Sequence, residues 1–359
     1  MDISKVLKVW YQKHHRPLPW RKINDPYKIW LSEIILQQTR VEQGLPYFNR
    51  FISDYPTVRH LAAAPEQEVM KRWQGLGYYS RARNLHSAAK INCADYQGVF
   101  PYSYDSIKSL KGIGDYTAAA IASFAYNLPH AVVDGNVYRV LARLFAISTP
   151  IDSTAGKKEF ALLAQKLLDK RDPATHNQAI MELGAVVCKP AQPDCENCPL
   201  MMLCEAYNKG MVSSFPIKEN RVKVTARYFN YLMIRHKGSF YLNHRNGNDI
   251  WKNLFDLPMI ETKSVITPEL LVKTTGWKDL FGAQTVHIEK VRSFKAHKLS
   301  HQHLHTTFYN VTIQKSPTSS IWKKFVKVNS QSIENYPIPK IIEHFFQEES
   351  IGYGDVKKS

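Results

Sequence analysis

From Met1 to about residue 210, apolar positions recur at the spacing of amphipathic helices. Asp25-Pro26 reads as an N-cap followed by proline at the first helical position. Tyr27, Trp30, Leu31, Ile34 and Ile35 then mark one face of the helix it opens. Further helical runs are predicted near 66–74, 80–92, 104–110, 115–126, 135–146, 156–170 and 175–187, with Gly75-x-Gly77 and Gly112-x-Gly114 as punctuation. The pattern changes after Gly210. Met211 to Val224 carries Ser213-Ser214, Pro216 and several charges and reads as a linker. Beyond Ala226, Tyr228–Ile234 and Ser239–Leu242 flank a turn at His236-Lys237-Gly238, and Thr306–Ile313 is a further strand-like run. A helix near 338–347 closes the pattern. The prediction is a mainly α domain over 1–210, a linker over 211–225, an α+β domain over 226–347 and a tail over 348–359.

Composition agrees with this division. A chain of 359 residues suits two cores, and 44% hydrophobic against 22% charged residues describes a globular protein rather than a disordered one. No apolar run reaches the ~20 residues of a membrane span. Met1 to Trp20 mixes Lys, His and aromatics and has no signal-peptide core, so a cytoplasmic, nucleoid-associated location is expected. The net charge of +17, from 48 Lys+Arg against 31 Asp+Glu, points to a polyanionic partner, nucleic acid ahead of membrane. The basic residues are spread along the chain, so folding must assemble the positive surface.

Four of the five cysteines, Cys188, Cys195, Cys198 and Cys204, lie within 17 residues, while Cys93 stands alone as a buried thiol. Clustered cysteines in a reducing compartment bind metal more often than they pair. Zinc modules usually carry two short C-x2–4-C knuckles. Here one short pair has a single outlier on each side, which lets one loop wrap a 4Fe–4S cube. Zinc is the alternative.

Two further constellations carry chemistry. In Leu110-Lys111-Gly112-Ile113-Gly114-Asp115-Tyr116, Gly112 and Gly114 permit a tight turn, and the next helix offers free N–H groups to phosphate. Asp134, in Val133-Asp134-Gly135-Asn136, is placed to cap a helix whose N-terminus favours the ionised carboxylate. Glu33 stands among apolar neighbours, and burial would raise its pKa and keep it protonated. One acidic and one ionised carboxyl is the arrangement that breaks glycosidic bonds.

The cysteine spacing after Glu182-Leu183-Gly184-Ala185 resembles the iron–sulfur branch of the helix-hairpin-helix DNA glycosylases. The segment Trp30 to Thr39 around Glu33, together with Leu18-Pro19-Trp20-Arg21, Gly75 to Leu85 and Asn177-Gln178-Ala179, resembles the adenine glycosylases of the MutY family over nearly the whole chain. The resemblance implies a structural cluster that braces a DNA-contacting loop, and a monomeric enzyme acting on double-stranded DNA that contains adenine opposite 8-oxoguanine. It implies catalytic roles for Glu33, Asp134, Tyr116 and Asn136. The adenine pocket would be lined by Arg16, Trp20, Arg21, Leu36, Val41, Gln178 and Met181. Gln38 and Tyr78 would enter the base stack with Leu76 beside them, and Gly112 and Gly114 would meet the backbone. The family's glycosylase-lyase relatives carry a Schiff-base lysine where this chain has Tyr116, which argues for base removal without strand cutting. Lys111, where proline is common, is an amine nearby in sequence. The competing readings are a bifunctional glycosylase-lyase for oxidised pyrimidines and a non-enzymatic, cluster-bearing DNA-binding or redox-sensing protein.

In the second domain, five of the 14 histidines fall between His287 and His305, and on a strand His301, His303 and His305 would share one face. Leu299-Ser300-His301 resembles the family's 8-oxoguanine loop, with Leu299 where an aromatic is usual and Ser300 and His301 as hydrogen-bonding residues. The family's second domain is Nudix-like. Glu261 and Glu269 are the only glutamates between 245 and 285, short of the glutamate-rich helix that holds magnesium in a Nudix hydrolase. Trp251 to Pro258 would keep that fold's shape, and the domain reads as a lesion sensor.

Overall fold

The structure is a computed structural model that describes residues 2–219, 223–282, 284, 286–315 and 320–351. The chain forms two compact units. One comprises Met1–Ala63 with Asn84–Arg221, and the other Ala64–Arg83 with Val222–Ser359.

The first unit is helical. Its elements are α1 (Ile3–His14), α2 (Pro26–Leu36), α3 (Val41–Asp54) and α4 (Val58–Ala63), most of α6 (Ser80–Asp95), then α7 (Tyr104–Lys108), α8 (Asp115–Tyr126), α9 (Gly135–Leu144), α10 (Thr154–Leu167), α11 (Pro173–Val186) and α12 (Glu205–Asn208). Short polar side chains start most of them. Asp2, Asp25, Ser103, Asp134, Ser153 and Asp172 each accept a backbone N–H of the first turn. Leu7 and Trp10 of α1, Val137, Leu141 and Leu144 of α9, Phe160 of α10, and Ile180 and Leu183 of α11 share one core. The pattern of α2 promised one buried face. In the structure Ile29, Ser32 and Glu33 are buried as well, so this helix runs through the interior.

The predicted linker begins too early. Phe215 joins the core of the first unit, Val212 and Ile217 pack against it, and the Ile151 amide donates to the Ile217 carbonyl at 3.0 Å. Polar composition marked this stretch as a connection, but its three apolar side chains dock it.

The second unit is built on a mixed sheet. Its strands are β1 (Thr225–His236), β2 (Ser239–His244), β3 (Phe255–Asp256), β4 (Met259–Thr262), β5 (His287–Ser293), β6 (His297–Lys298), β7 (Gln302–Thr312) and β8 (Phe325–Asn329). The main order is β3-β2-β1-β7-β5, with β1 and β7 parallel. Period-2 alternation splits β1 between two cores. Phe229, Tyr231 and Met233 pack with Phe308 and with Phe345 and Phe346 of α15 (Lys340–Glu348). Leu232 and Ile234 pack with Tyr309 and Val311 and with Trp277 and Phe281 of α14 (Thr275–Phe281), next to α13 (Pro268–Leu271). In the Trp251–Pro258 segment, Asp256 is buried and accepts from Arg245 at 2.7 Å and from Asn243 at 2.9 Å. Glu261 accepts from Arg227 at 2.7 and 2.8 Å.

This unit also holds α5 (Glu66–Trp73) and the Gly75–Tyr78 turn. Gln67 and Lys71 donate to the carbonyls of Asn335 and Tyr336, and the Gln74 amide donates to Glu343 at 2.9 Å and accepts from the Ile338 amide at 3.1 Å. The helical pattern of 66–74 was visible in the sequence; its partners, more than 260 residues away, were not. Of the predicted tail, 352–359 lie outside the described residues.

Candidate active site

A cleft of about 750 Å³ opens in the first unit. All four residues expected to be catalytic, Glu33, Asp134, Tyr116 and Asn136, line it. So do all seven expected around adenine: Arg16, Trp20, Arg21, Leu36, Val41, Gln178 and Met181. Lys111 is exposed and does not line the cleft.

Glu33 sits on the buried helix α2 and is 6% exposed. Burial pushes its carboxyl up to about 7, and the nearby Asp134 adds to this, while a hydrogen bond from the Tyr116 hydroxyl works the other way. Burial also lifts the Tyr116 phenol well above its usual range, so the hydroxyl stays protonated and donates. Asp134 is the N-cap of α9. Its Oδ1 accepts the backbone N–H groups of Asn136 and Val137 at 2.9 and 2.8 Å, and its Oδ2 accepts the Asn136 side-chain amide at 2.7 Å. Burial raises the Asp134 pKa, and these three donors, which bind the charged form best, oppose the rise. The cleft thus holds one carboxyl raised to about 7 beside another surrounded by fixed donors, an arrangement in which one carboxyl can give a proton while the other stays ionised.

Three residues with structural parts in this site went unassigned in the sequence. Glu182 on α11 is 1% exposed and accepts from Arg16 Nη2 at 2.8 Å and from Arg21 Nη2 at 2.5 Å. Burial alone would raise its pKa, but the two guanidiniums overcome this and hold it at about 2. Arg16 and Arg21 are therefore cleft residues tied to an internal carboxylate. Arg139, one turn into α9, donates to Asn136 Oδ1 at 2.9 Å, to the Gly184 carbonyl at 2.7 Å and to the Cys188 carbonyl at 2.7 Å. Tyr11 of α1 donates to Gln178 Oε1 at 2.7 Å. The available signal was an ionisable or hydroxyl residue inside an apolar helical stretch, which names a buried polar group without naming its partner.

Gly184 fixes the approach of α11 to this site. A Cβ there would lie 2.6 Å from Asn136 Cβ and 3.0 Å from the Asn136 carbonyl oxygen.

Cys188, Cys195, Cys198 and Cys204 all line one small pocket, with Val187, Met201 and Val212 among its apolar neighbours. Arg143 Nη1 donates to Cys188 Sγ at 3.4 Å and also binds the Lys189 carbonyl. Four cysteines around one pocket are a soft donor set of the kind that suits zinc or an iron–sulfur cluster. Among the described residues, no group of three or more His, Cys, Asp or Glu is drawn together so as to hold a single metal ion. Lys189, Pro190 and Ala191, directly after Cys188, form part of the active-site cleft wall. Cys93 is half-buried, with its sulfur 4.0 Å from the Val58 carbonyl.

The residues expected to meet DNA divide. Gln38 is exposed at φ 56°, and Tyr78 is 45% exposed at φ 47°. Both hold left-handed backbone that is costly for these residue types. Gly112 has φ 80° and lies against Asn84, and Gly114 caps α8. Leu76, expected beside Tyr78, is instead 4% exposed. In the second unit Ser300 is exposed, and its hydroxyl is 2.7 Å from that of Tyr78. His301 is exposed and immediately precedes β7, which carries His303 and His305. The His301 carbonyl accepts the Thr225 amide at 3.0 Å, next to the first β1–β7 pair, Thr225 with Gln302.

Among the described residues, no helix is long and apolar enough to cross a membrane. Residues 31–168 match the HhH-GPD superfamily of base excision DNA repair proteins, and residues 230–348 match the NUDIX domain. The chain is 32% identical over 351 residues to an adenine DNA glycosylase of Buchnera aphidicola subsp. Schizaphis graminum, covering 95% of this chain and 98% of that protein. It is 42% identical over 209 residues to an adenine DNA glycosylase of Homo sapiens, covering 56% of this chain and 38% of that one. A solved thermostable thymine-DNA glycosylase superposes with a TM-score of 0.54 at 29% identity, over 57% of this chain and 95% of that one. With Glu33, Tyr116 and Asp134 gathered in one cleft of a helical unit and a Nudix-like sheet in the other, the chain belongs to the adenine DNA glycosylase family, the MutY-type branch of the helix-hairpin-helix enzymes.

Proposed function

We propose that this protein hydrolyses the N-glycosidic bond of adenine paired with 8-oxoguanine in double-stranded DNA, acting as a monomer in the cytoplasm on the nucleoid. The observation that carries the reading is the Tyr116–Glu33 hydrogen bond beside the capped Asp134. The adenine is turned out of the duplex into the cleft. Glu33, protonated near neutral pH, gives its proton to N7 of the base. The C1′–N9 bond breaks with its electron pair passing to the base, and the Asp134 carboxylate faces the positive charge that develops on the sugar. A water molecule then adds its oxygen to C1′ and returns a proton to Glu33. Asn136 holds Asp134, and Tyr116 holds Glu33. Tyrosine cannot form an imine with the sugar, so the strand stays intact after base release.

The remaining assignments belong to the same reading. Trp20, Leu36, Val41 and Met181 would flank the base, and Gln178, Arg16 and Arg21 would meet its edges. Gln38 and Tyr78 would fill the stack, Gly112 and Gly114 would admit the backbone phosphate, and Ser300 and His301 would read the opposite 8-oxoguanine. Cys188, Cys195, Cys198 and Cys204 would hold a 4Fe–4S cluster, which would supply a rigid cross-link for the 188–204 loop.

The test is a duplex with adenine opposite 8-oxoguanine, scored with and without alkali. Strand breakage only after alkali is expected, and Glu33→Gln should abolish adenine release while sparing DNA binding. Breakage without alkali, or full activity in Glu33→Gln, would overturn the scheme.

A further inference from the structure

We infer that Tyr11, which lies behind the cleft wall, is a positioning residue that fixes the side-chain amide of Gln178 and thereby sets the hydrogen-bonding pattern offered to the extruded base. This rests on the proposed function and deepens it. Gln178 and Glu182 stand one turn apart on α11, and both line the cleft. Tyr11 does not line it. Its ring is 8% exposed, and its hydroxyl donates to Gln178 Oε1 at 2.7 Å.

An unrestrained primary amide can rotate by half a turn and exchange its donor and acceptor ends. In the arrangement observed, the Tyr11 hydroxyl donates to the oxygen end, which favours the orientation that leaves the Nε2 hydrogens to donate. One lone pair of the oxygen is then occupied by the protein, and at most one is left for the base. Tyr11 is itself held in place. The Arg21 guanidinium lies 5.5 Å from the centre of its ring, and Arg21 is anchored by Glu182. Burial raises the phenol's pKa, so the hydroxyl keeps its proton. Glu182 anchors Arg16 and Arg21 by accepting from their guanidiniums, while Tyr11 occupies the acceptor end of Gln178, so the Nε2 hydrogens of Gln178 are the donors left to face the cleft.

The test is a double-mutant cycle on the full chain, read as the single-turnover rate of adenine release from the 8-oxoguanine duplex. Thermal unfolding and duplex affinity are measured alongside. Tyr11→Phe removes only the hydroxyl. We expect about a tenfold lower rate with little change in duplex affinity, since one orienting hydrogen bond is lost. In a Gln178→Ala background the same change should lower the rate less than about twofold, because no amide is left to orient. An equal drop in both backgrounds would make Tyr11 a general packing residue, and no drop in the natural chain, where Gln178 is present, would remove it from the site; either overturns the inference. If the natural chain releases no adenine from this duplex, the proposed function fails first, and the two failures are distinct.

Discussion

Replacing Tyr116 with phenylalanine removes one hydroxyl and leaves the ring that lines the cleft. In the native protein that hydroxyl donates to Glu33, whose carboxyl burial has pushed up to about 7. A hydrogen bond donated to a carboxylate favours its charged form, so losing it raises the pKa further. Bonds to charged groups contribute roughly 1.5–3 kcal/mol, and about 1.4 kcal/mol corresponds to one pKa unit. The Glu33 pKa should therefore rise by about one unit or somewhat more. As general acid, Glu33 must be protonated, so the rate of adenine release falls as pH rises through its pKa. In Tyr116→Phe this alkaline limb should move upward by about one unit. The acid limb should stay where it is, because it reflects Asp134, which must be ionised and whose own pKa burial raises above the ordinary aspartate value. The assay is single-turnover excision across the pH range from acid to alkaline with saturating enzyme. An alkaline limb that does not move, or moves downward, would refute the assignment of Glu33 as the acid held by Tyr116.

Other expectations rest on single contacts. Gly184→Ala drives a methyl into Asn136 and should cost about 1–3 kcal/mol of stability, with a slower chemical step because Asn136 holds Asp134; thermal unfolding and single-turnover rates check both. Glu182 is held at about 2 against an ordinary value of 4.5, so its contribution of about 3 kcal/mol is full above pH 4.5 and is lost as pH falls toward 2. Denaturant titrations at several pH values should show that slope, and Glu182→Gln should remove it. Cys198→Ser should abolish iron–sulfur absorption in the visible range and weaken duplex binding, with loss of base release as the result; unaltered DNA binding and activity would dissociate the cysteine loop from function.

Much of the first unit was legible because local chemistry determined it. Asp25-Pro26 and Asp134 announced helix starts, and each caps its helix as written. Glu33 was legible as a buried carboxyl from its apolar neighbours alone. The parts that escaped depend on chain segments brought together from afar. Arg16 and Arg21 meet Glu182 across more than 160 residues, and nothing local distinguishes an arginine that binds phosphate from one that neutralises an internal glutamate. Phe215 hid within a polar stretch and is buried. The alternation of His301, His303 and His305 could not tell where the strand begins; it begins at Gln302, which leaves His301 with Leu299 and Ser300 in the segment before it. The helical pattern near 66–74 was correct, but a pattern gives no information on which unit the buried face of that helix, with Val69, Met70 and Trp73, joins.

That membership has a genetic consequence. Because α5 and the Gly75–Tyr78 turn belong to the second unit, a stop codon or frameshift that removes only the chain beyond residue 221 also strips Gln67, Lys71, Gln74 and Tyr78 of their partners at 300–343. A truncated allele would keep every residue of the catalytic cleft and still alter the turn proposed to enter DNA. The two units are thus inherited as one trait, and their separation by truncation is not a neutral dissection.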